Sequence, residues 1–135
     1  MKKIIVTMLL VFIASKGVSQ QKEYQLSTHI LDVSEGLPAT NVKIKLEKLD
    51  SKKNIWHFVS EKRTNKDGRI GDFLSSENKN DGIYRFTCYT EDYFKSKKVE
   101  TFYPFIEVVF KLEGKNHFHV PITLSAFGYS TYRGS

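Results

Sequence analysis

Val42-Lys43-Ile44-Lys45-Leu46-Glu47 alternates apolar and charged side chains without a break. A period of two places Val42, Ile44 and Leu46 on one face of an extended strand and Lys43, Lys45 and Glu47 on the other. One face is dry and the other wet, as in an antiparallel sheet that covers a core on one side only. The pattern recurs to either side. Tyr24 to Asp32 reads as the preceding strand, and Gly36-Leu37-Pro38 breaks the chain after it. Ile55 to Lys62 reads as the next strand. Thr64-Asn65-Lys66-Asp67-Gly68 is a turn, because Asn and Asp-Gly accept positive φ cheaply. Arg69 to Leu74 and Ile83 to Tyr89 are two further strands, separated by the polar loop Ser75 to Gly82. Thr90-Glu91-Asp92 predicts the start of a short helix, with the Thr90 hydroxyl as N-cap and acids in the first turn. Phe102 to Leu112 reads as a long strand in which Pro104 marks an edge or a bulge. His117 to Ser125 follows, and Tyr129 to Arg133 forms a short last strand. Seven or eight short strands with turn residues between them predict an all-β sandwich.

The first residues stand apart from this pattern. Lys2 and Lys3 precede the apolar run Ile4 to Ala14, and Gly17-Val18-Ser19 puts small residues before a cut. That run is too short for a spanning helix and has the form of a secretory signal peptide. The expected division is a signal peptide at 1–19 and one folded domain at 20–135, with a periplasmic or secreted mature protein. Lys2, Lys3 and Lys16 leave with the signal and no acid does, so the formal charge falls from +6 to +3. A weakly basic domain makes no case for nucleic acid, and nothing in the mature chain calls for a membrane. The chain has one cysteine, Cys88, so it is held without an internal disulfide. In Tyr84-Arg85-Phe86-Thr87-Cys88 the thiol shares a strand face with Tyr84 and Phe86, which reads as a core position rather than a nucleophile.

The strand His117 to Ser125 carries the most chemistry. Phe118, Val120, Ile122 and Leu124 belong to the core, which leaves His117, His119, Thr123 and Ser125 together on the opposite face. Histidine trades protons near neutral pH, so such a face is either plain surface or a site. His29, with Ser27 and Leu31, likewise faces away from Thr28 and Ile30. His29, His117 and His119 also permit a metal site, although no acid or cysteine accompanies them at a familiar spacing. Arg69 leaves a tight turn, which can aim its planar fork of donors at a planar ligand. The tail Phe127-Gly-Tyr-Ser-Thr-Tyr-Arg-Gly-Ser135 is aromatic and glycine-rich where chain ends are ordinarily polar and frayed.

FGYSTYRGS at Phe127 to Ser135 closely resembles the C-terminal signature of the 5-hydroxyisourate hydrolases, the enzymatic branch of the transthyretin-like family. LSTHILD at Leu26 to Asp32, GLPA at Gly36 to Ala39, TNKDGR at Thr64 to Arg69, FYP at Phe102 to Pro104 and HFHVPITLS at His117 to Ser125 agree with it. The resemblance implies a transthyretin-like β-sandwich of two four-stranded sheets with one short helix. It further implies a homotetramer, a dimer of dimers, with sites in the channel between dimers. The implied reaction opens the ring of 5-hydroxyisourate, the product of urate oxidation. It yields 2-oxo-4-hydroxy-4-carboxy-5-ureidoimidazoline in purine catabolism. By motif, His29, Arg69, His119 and Ser135 are the expected catalytic residues, and His29, Arg69 and Tyr132 the expected substrate contacts. His119 is the expected base and His29 its helper, Arg69 steadies developing negative charge, and Tyr132 and Ser135 hold and cover the ring. Neither metal nor organic cofactor is expected. Two positions depart from the family pattern: Ala126 stands where proline is usual, and Gly71-Asp72-Phe73 follows Arg69 where proline is common. The competing expectation is an exported transthyretin-like binding protein without turnover.

Overall fold

The computed structural model describes residues 23–135, so the proposed signal segment lies outside the described residues. The elements in order are β1 (Tyr24–Asp32), β2 (Leu37–Pro38), β3 (Lys43–Asp50), β4 (Ile55–Arg63), β5 (Arg69–Ser75), β6 (Gly82–Cys88), α1 (Thr90–Ser96), β7 (Ile106–Leu112), β8 (Phe118–Ser125) and β9 (Gly128–Thr131). One sheet has the order β4-β3-β6-β7, antiparallel throughout. The other runs β2-β1-β8-β9, with β5 also paired to β1. β2 and β5 share one edge of β1, against Leu31–Asp32 and Tyr24–His29 respectively. The expected four-plus-four arrangement thus gains a two-residue fifth strand from the Leu37-Pro38 breaker.

The inward faces meet in a core that includes Leu26, Ile30, Ile122 and Leu124 from one sheet and Ile44, Leu46, Phe86 and Leu112 from the other, all nearly inaccessible. Each such side chain contributes about 1.5–3 kcal/mol by leaving water. Cys88 belongs to this core, and burial pushes its thiol up to about 12, which leaves it unreactive. α1 is tied to the end of β1 by Tyr93 Oη, which donates to Asp32 Oδ2 at 2.8 Å.

Two expectations at element ends are corrected. Residues 101–105 are irregular and β7 begins only at Ile106. Pro104 has no N–H to give a ladder and its carbonyl is spent on the Glu91 N–H. That bond also replaces the expected cap. Tyr89, not Thr90, takes the cap position without a side-chain bond, because its N–H is still paired to Lys43 of β3. Thr90 is the first helical residue and fully buried, and its hydroxyl finds no partner among the described residues.

Candidate active site

β1 and β8 lie side by side and parallel, with Ser27 opposite His119, Thr28 opposite Val120 and His29 opposite Pro121. Strand alternation sends Thr28, Ile30, Val120 and Ile122 into the core and leaves Ser27, His29, His117 and His119 on the outer face. There they form a continuous line. His29 Nδ1 lies 2.7 Å from His119 Nε2, and His119 Nδ1 lies 2.7 Å from Ser27 Oγ. Ser27 Oγ lies 2.8 Å from His117 Nε2, and His117 Nδ1 lies 2.9 Å from the Tyr24 carbonyl oxygen. Both ring nitrogens of His119 are therefore engaged. Among the described residues no hydrogen bond engages Nε2 of His29.

Arg69 enters from the far side of β1, where it is the direct antiparallel partner of His29. The turn before it is built to hold that position. Asn65 Oδ1 accepts the N–H groups of Asp67 and Arg69 at 2.9 and 3.0 Å. Gly68 has φ +69°, and a Cβ there would stand 2.7 Å from the Ile30 carbonyl, so only glycine fits. Burial, and then the Arg69 guanidinium, hold the His29 imidazole below its ordinary value. Burial also leads at His119, with His29, Arg69 and His117 adding in the same direction. Both imidazoles thus favour the neutral form that can accept a proton.

The tail reaches the same place. β9 pairs with β8 from Ser125–Gly128 to Ile122–Thr131, the ladder lapses at Tyr132 and Arg133, and it resumes in register where Gly134 meets His119. Gly134 N–H donates to the His119 carbonyl at 2.9 Å. A Cβ at Gly134 would lie 2.8 Å from the His119 ring carbon Cδ2, so the close approach requires glycine here too. Arg133 places its guanidinium 5.3 Å from the centre of the Phe118 ring. Tyr132 is 61% exposed and Ser135 is exposed beyond Gly134. The structure therefore gathers His29, Arg69 and His119 and runs the tail beside them. A cleft alongside β7 is lined by Val109, Phe118, His119, Tyr132 and Arg133, but not by His29 or Arg69.

The HIUase/Transthyretin family description matches residues 26–134, nearly all of the described chain. The chain belongs to the HIUase/Transthyretin family. The chain is 45% identical over 111 residues to a 5-hydroxyisourate hydrolase of Salmonella typhimurium, covering 82% of this chain and 80% of that one. It is 40% identical to a 5-hydroxyisourate hydrolase of Mus musculus, covering 82% and 94%. Among solved structures it is similar to sea bream transthyretin in complex with thyroxine, with a TM-score of 0.76 at 28% identity, covering 82% of this chain and 94% of that one. It is also similar to an (S)-allantoin synthase, with a TM-score of 0.75 at 34% identity; the match covers 84% of this chain and 45% of that longer one.

In this HIUase/Transthyretin family member, sequence reasoning missed Ser27 and gave His117 a part only in the metal alternative. The signal was available: each stands two residues before a histidine singled out for the site, and so on the same strand face. What spacing could not supply was the register that inserts Ser27 between two imidazoles. The line also bears on the metal alternative. The three histidines are strung end to end rather than converging, and no group of three or more His, Cys, Asp or Glu suited to a metal ion occurs among the described residues.

Proposed function

We infer that this chain is a 5-hydroxyisourate hydrolase, which opens the ring of its substrate to 2-oxo-4-hydroxy-4-carboxy-5-ureidoimidazoline in purine catabolism. The observation that carries this reading is the meeting of two hydrogen-bonded imidazoles with Arg69 and the Gly134 segment on one face, in a chain whose relatives bear that name.

The assigned roles follow from which atoms are open. Water must lose a proton as its oxygen bonds to a ring carbonyl carbon. His119 has no open ring nitrogen, so we give the base to His29 Nε2, the reverse of the order expected from the sequence. Positioned proton transfer of this kind contributes about 10²–10⁴-fold. Arg69 supplies fixed positive charge to the carbonyl oxygen as it gains charge. The ring C–N bond then breaks, and the leaving nitrogen takes up the proton held by His29. Tyr132 and Ser135 hold and cover the planar ring.

Three further elements complete the proposal. The protein is a homotetramer, in which neighbouring copies shield a site that is open in one chain. The large exposed side chains Phe102, Val109, Phe127 and Tyr132 support such contacts. The signal segment at 1–19 directs the domain to the periplasm or beyond, and the reaction needs no cofactor.

The test follows the absorbance of freshly generated 5-hydroxyisourate. Decay many times faster than the spontaneous rate is expected, and decay at the spontaneous rate from the assembled protein would remove the hydrolase reading.

A further inference from the structure

The line of hydrogen bonds on the outer face has a direction, and its direction is set at the end remote from the open nitrogen. The Tyr24 carbonyl oxygen can only accept, so Nδ1 of His117 carries a hydrogen. A neutral imidazole then has its lone pair at Nε2, which must accept from Ser27. The hydroxyl has a single hydrogen to give. With that hydrogen committed to His117, Ser27 Oγ can only accept from His119, so His119 also carries its hydrogen on Nδ1. The His119 lone pair lies at Nε2 and accepts from His29 Nδ1. His29 in turn is left with its lone pair at Nε2. Each neutral ring has one arrangement that satisfies every contact, and all three follow from one main-chain oxygen.

We propose that Ser27 and His117 are positioning residues: contacting neither the attacking water nor the substrate, they lock the imidazole pair in the tautomer that leaves His29 Nε2 as the open acceptor. Without the acceptor at His117, the Ser27 hydrogen is free to turn toward His119 Nδ1. The line then reverses. His119 carries its hydrogen on Nε2 and donates to His29 Nδ1, which places a hydrogen on His29 Nε2 where the lone pair is needed. The pair keeps its hydrogen bond in either direction, so the reversal leaves the fold intact and removes the base. This assignment of purpose rests on the hydrolase reading, whereas the tautomers themselves do not.

The experiment pairs imidazole nitrogen NMR on the full chain with steady-state kinetics on freshly generated 5-hydroxyisourate. In the native protein His29, His119 and His117 are expected to show the Nδ1–H form, and an Nε2–H form at His29 would overturn the proposal without need of any variant. Ser27→Ala is expected to lower kcat by about 10–100-fold, the scale seen when the partner that orients a metal-bound histidine is removed. KM is expected to stay within about twofold, because the lost group does not bind substrate. His29 should then show mixed tautomers. His117→Phe is expected to reproduce the loss, while Ser27→Thr, which keeps a hydroxyl, and His117→Gln, whose Oε1 can stand in for Nε2, recover most of the rate. Native kcat in Ser27→Ala, or equal loss in His117→Gln and His117→Phe, would overturn the proposal. Native tautomers as expected with no turnover at all would instead fault the hydrolase reading.

Discussion

Each sheet carries a polar cluster on the side away from the core, and the two clusters are finished differently. On the sheet β4-β3-β6-β7, Glu47 is only 8% exposed and both its carboxylate oxygens are engaged. Arg85 reaches one oxygen at 3.0 and 2.8 Å, and Lys45 reaches the other at 3.3 Å. The guanidinium also lies 4.3 Å from the Trp56 ring centre and near Glu107. Burial opposes ionisation of Glu47, but Arg85 and Lys45 hold its carboxyl below the ordinary carboxylate value. Every charge in that cluster has an opposite neighbour. On the other sheet the histidine line begins on a carbonyl and ends on a ring nitrogen, next to Arg69, that has no hydrogen bond among the described residues. A closed cluster stabilises; an open one has a valence left for chemistry.

Three variants break or sharpen this contrast. His29→Ala has the largest expected effect, a loss of about 10²–10⁴-fold in kcat/KM with an unchanged melting temperature. Activity within about tenfold of native would move the base elsewhere. Glu47→Ala takes the closest carboxylate from a half-buried guanidinium and is expected to cost about 2 kcal/mol in a denaturant titration, since Arg85 keeps Glu107 and some access to water. The folded fraction should turn over at the native rate; a slowed rate would show that the two clusters are not separate. Arg69→Gln gives the smallest and most diagnostic shift. The active form is the neutral imidazole, and the pair is held below 6.5, so native kcat/KM should persist below that pH and fall only in more acid solution. Removing the guanidinium removes one of the influences holding the pair down. The acid limb should therefore move to higher pH, in addition to a general loss of rate. A limb that stays in place would show that Arg69 does not act on the imidazoles.

The period-two runs around Val42–Glu47, Leu26–Asp32 and Phe118–Leu124 made the sandwich and its histidine-bearing face legible, because alternation is local. Arg69 was legible for the same reason: Asn65 and Gly68 lie within four residues of it and hold its backbone. The helix cap at Thr90 was misread because the bond that replaces it comes from Pro104, fourteen positions along the chain. Ser27 was overlooked because its place between two imidazoles depends on the β1–β8 register. A slip of one residue would turn Thr28 toward His119, and no spacing within either strand reveals the choice.

The parallel pairing of β1 with β8 has a consequence in time. Ser27 and His119 are 92 positions apart, and each of the three hydrogen bonds from His29 to His117 spans at least 90. Closing so long a segment is entropically unfavourable before its contacts repay it, and folds dominated by such closures form slowly. A nascent polypeptide that has reached the end of β7 already holds His29 and Arg69, yet has no partner strand to complete the constellation. Turnover in this molecule is therefore a late event of maturation, and its onset during refolding marks the joining of the two extremities of the domain.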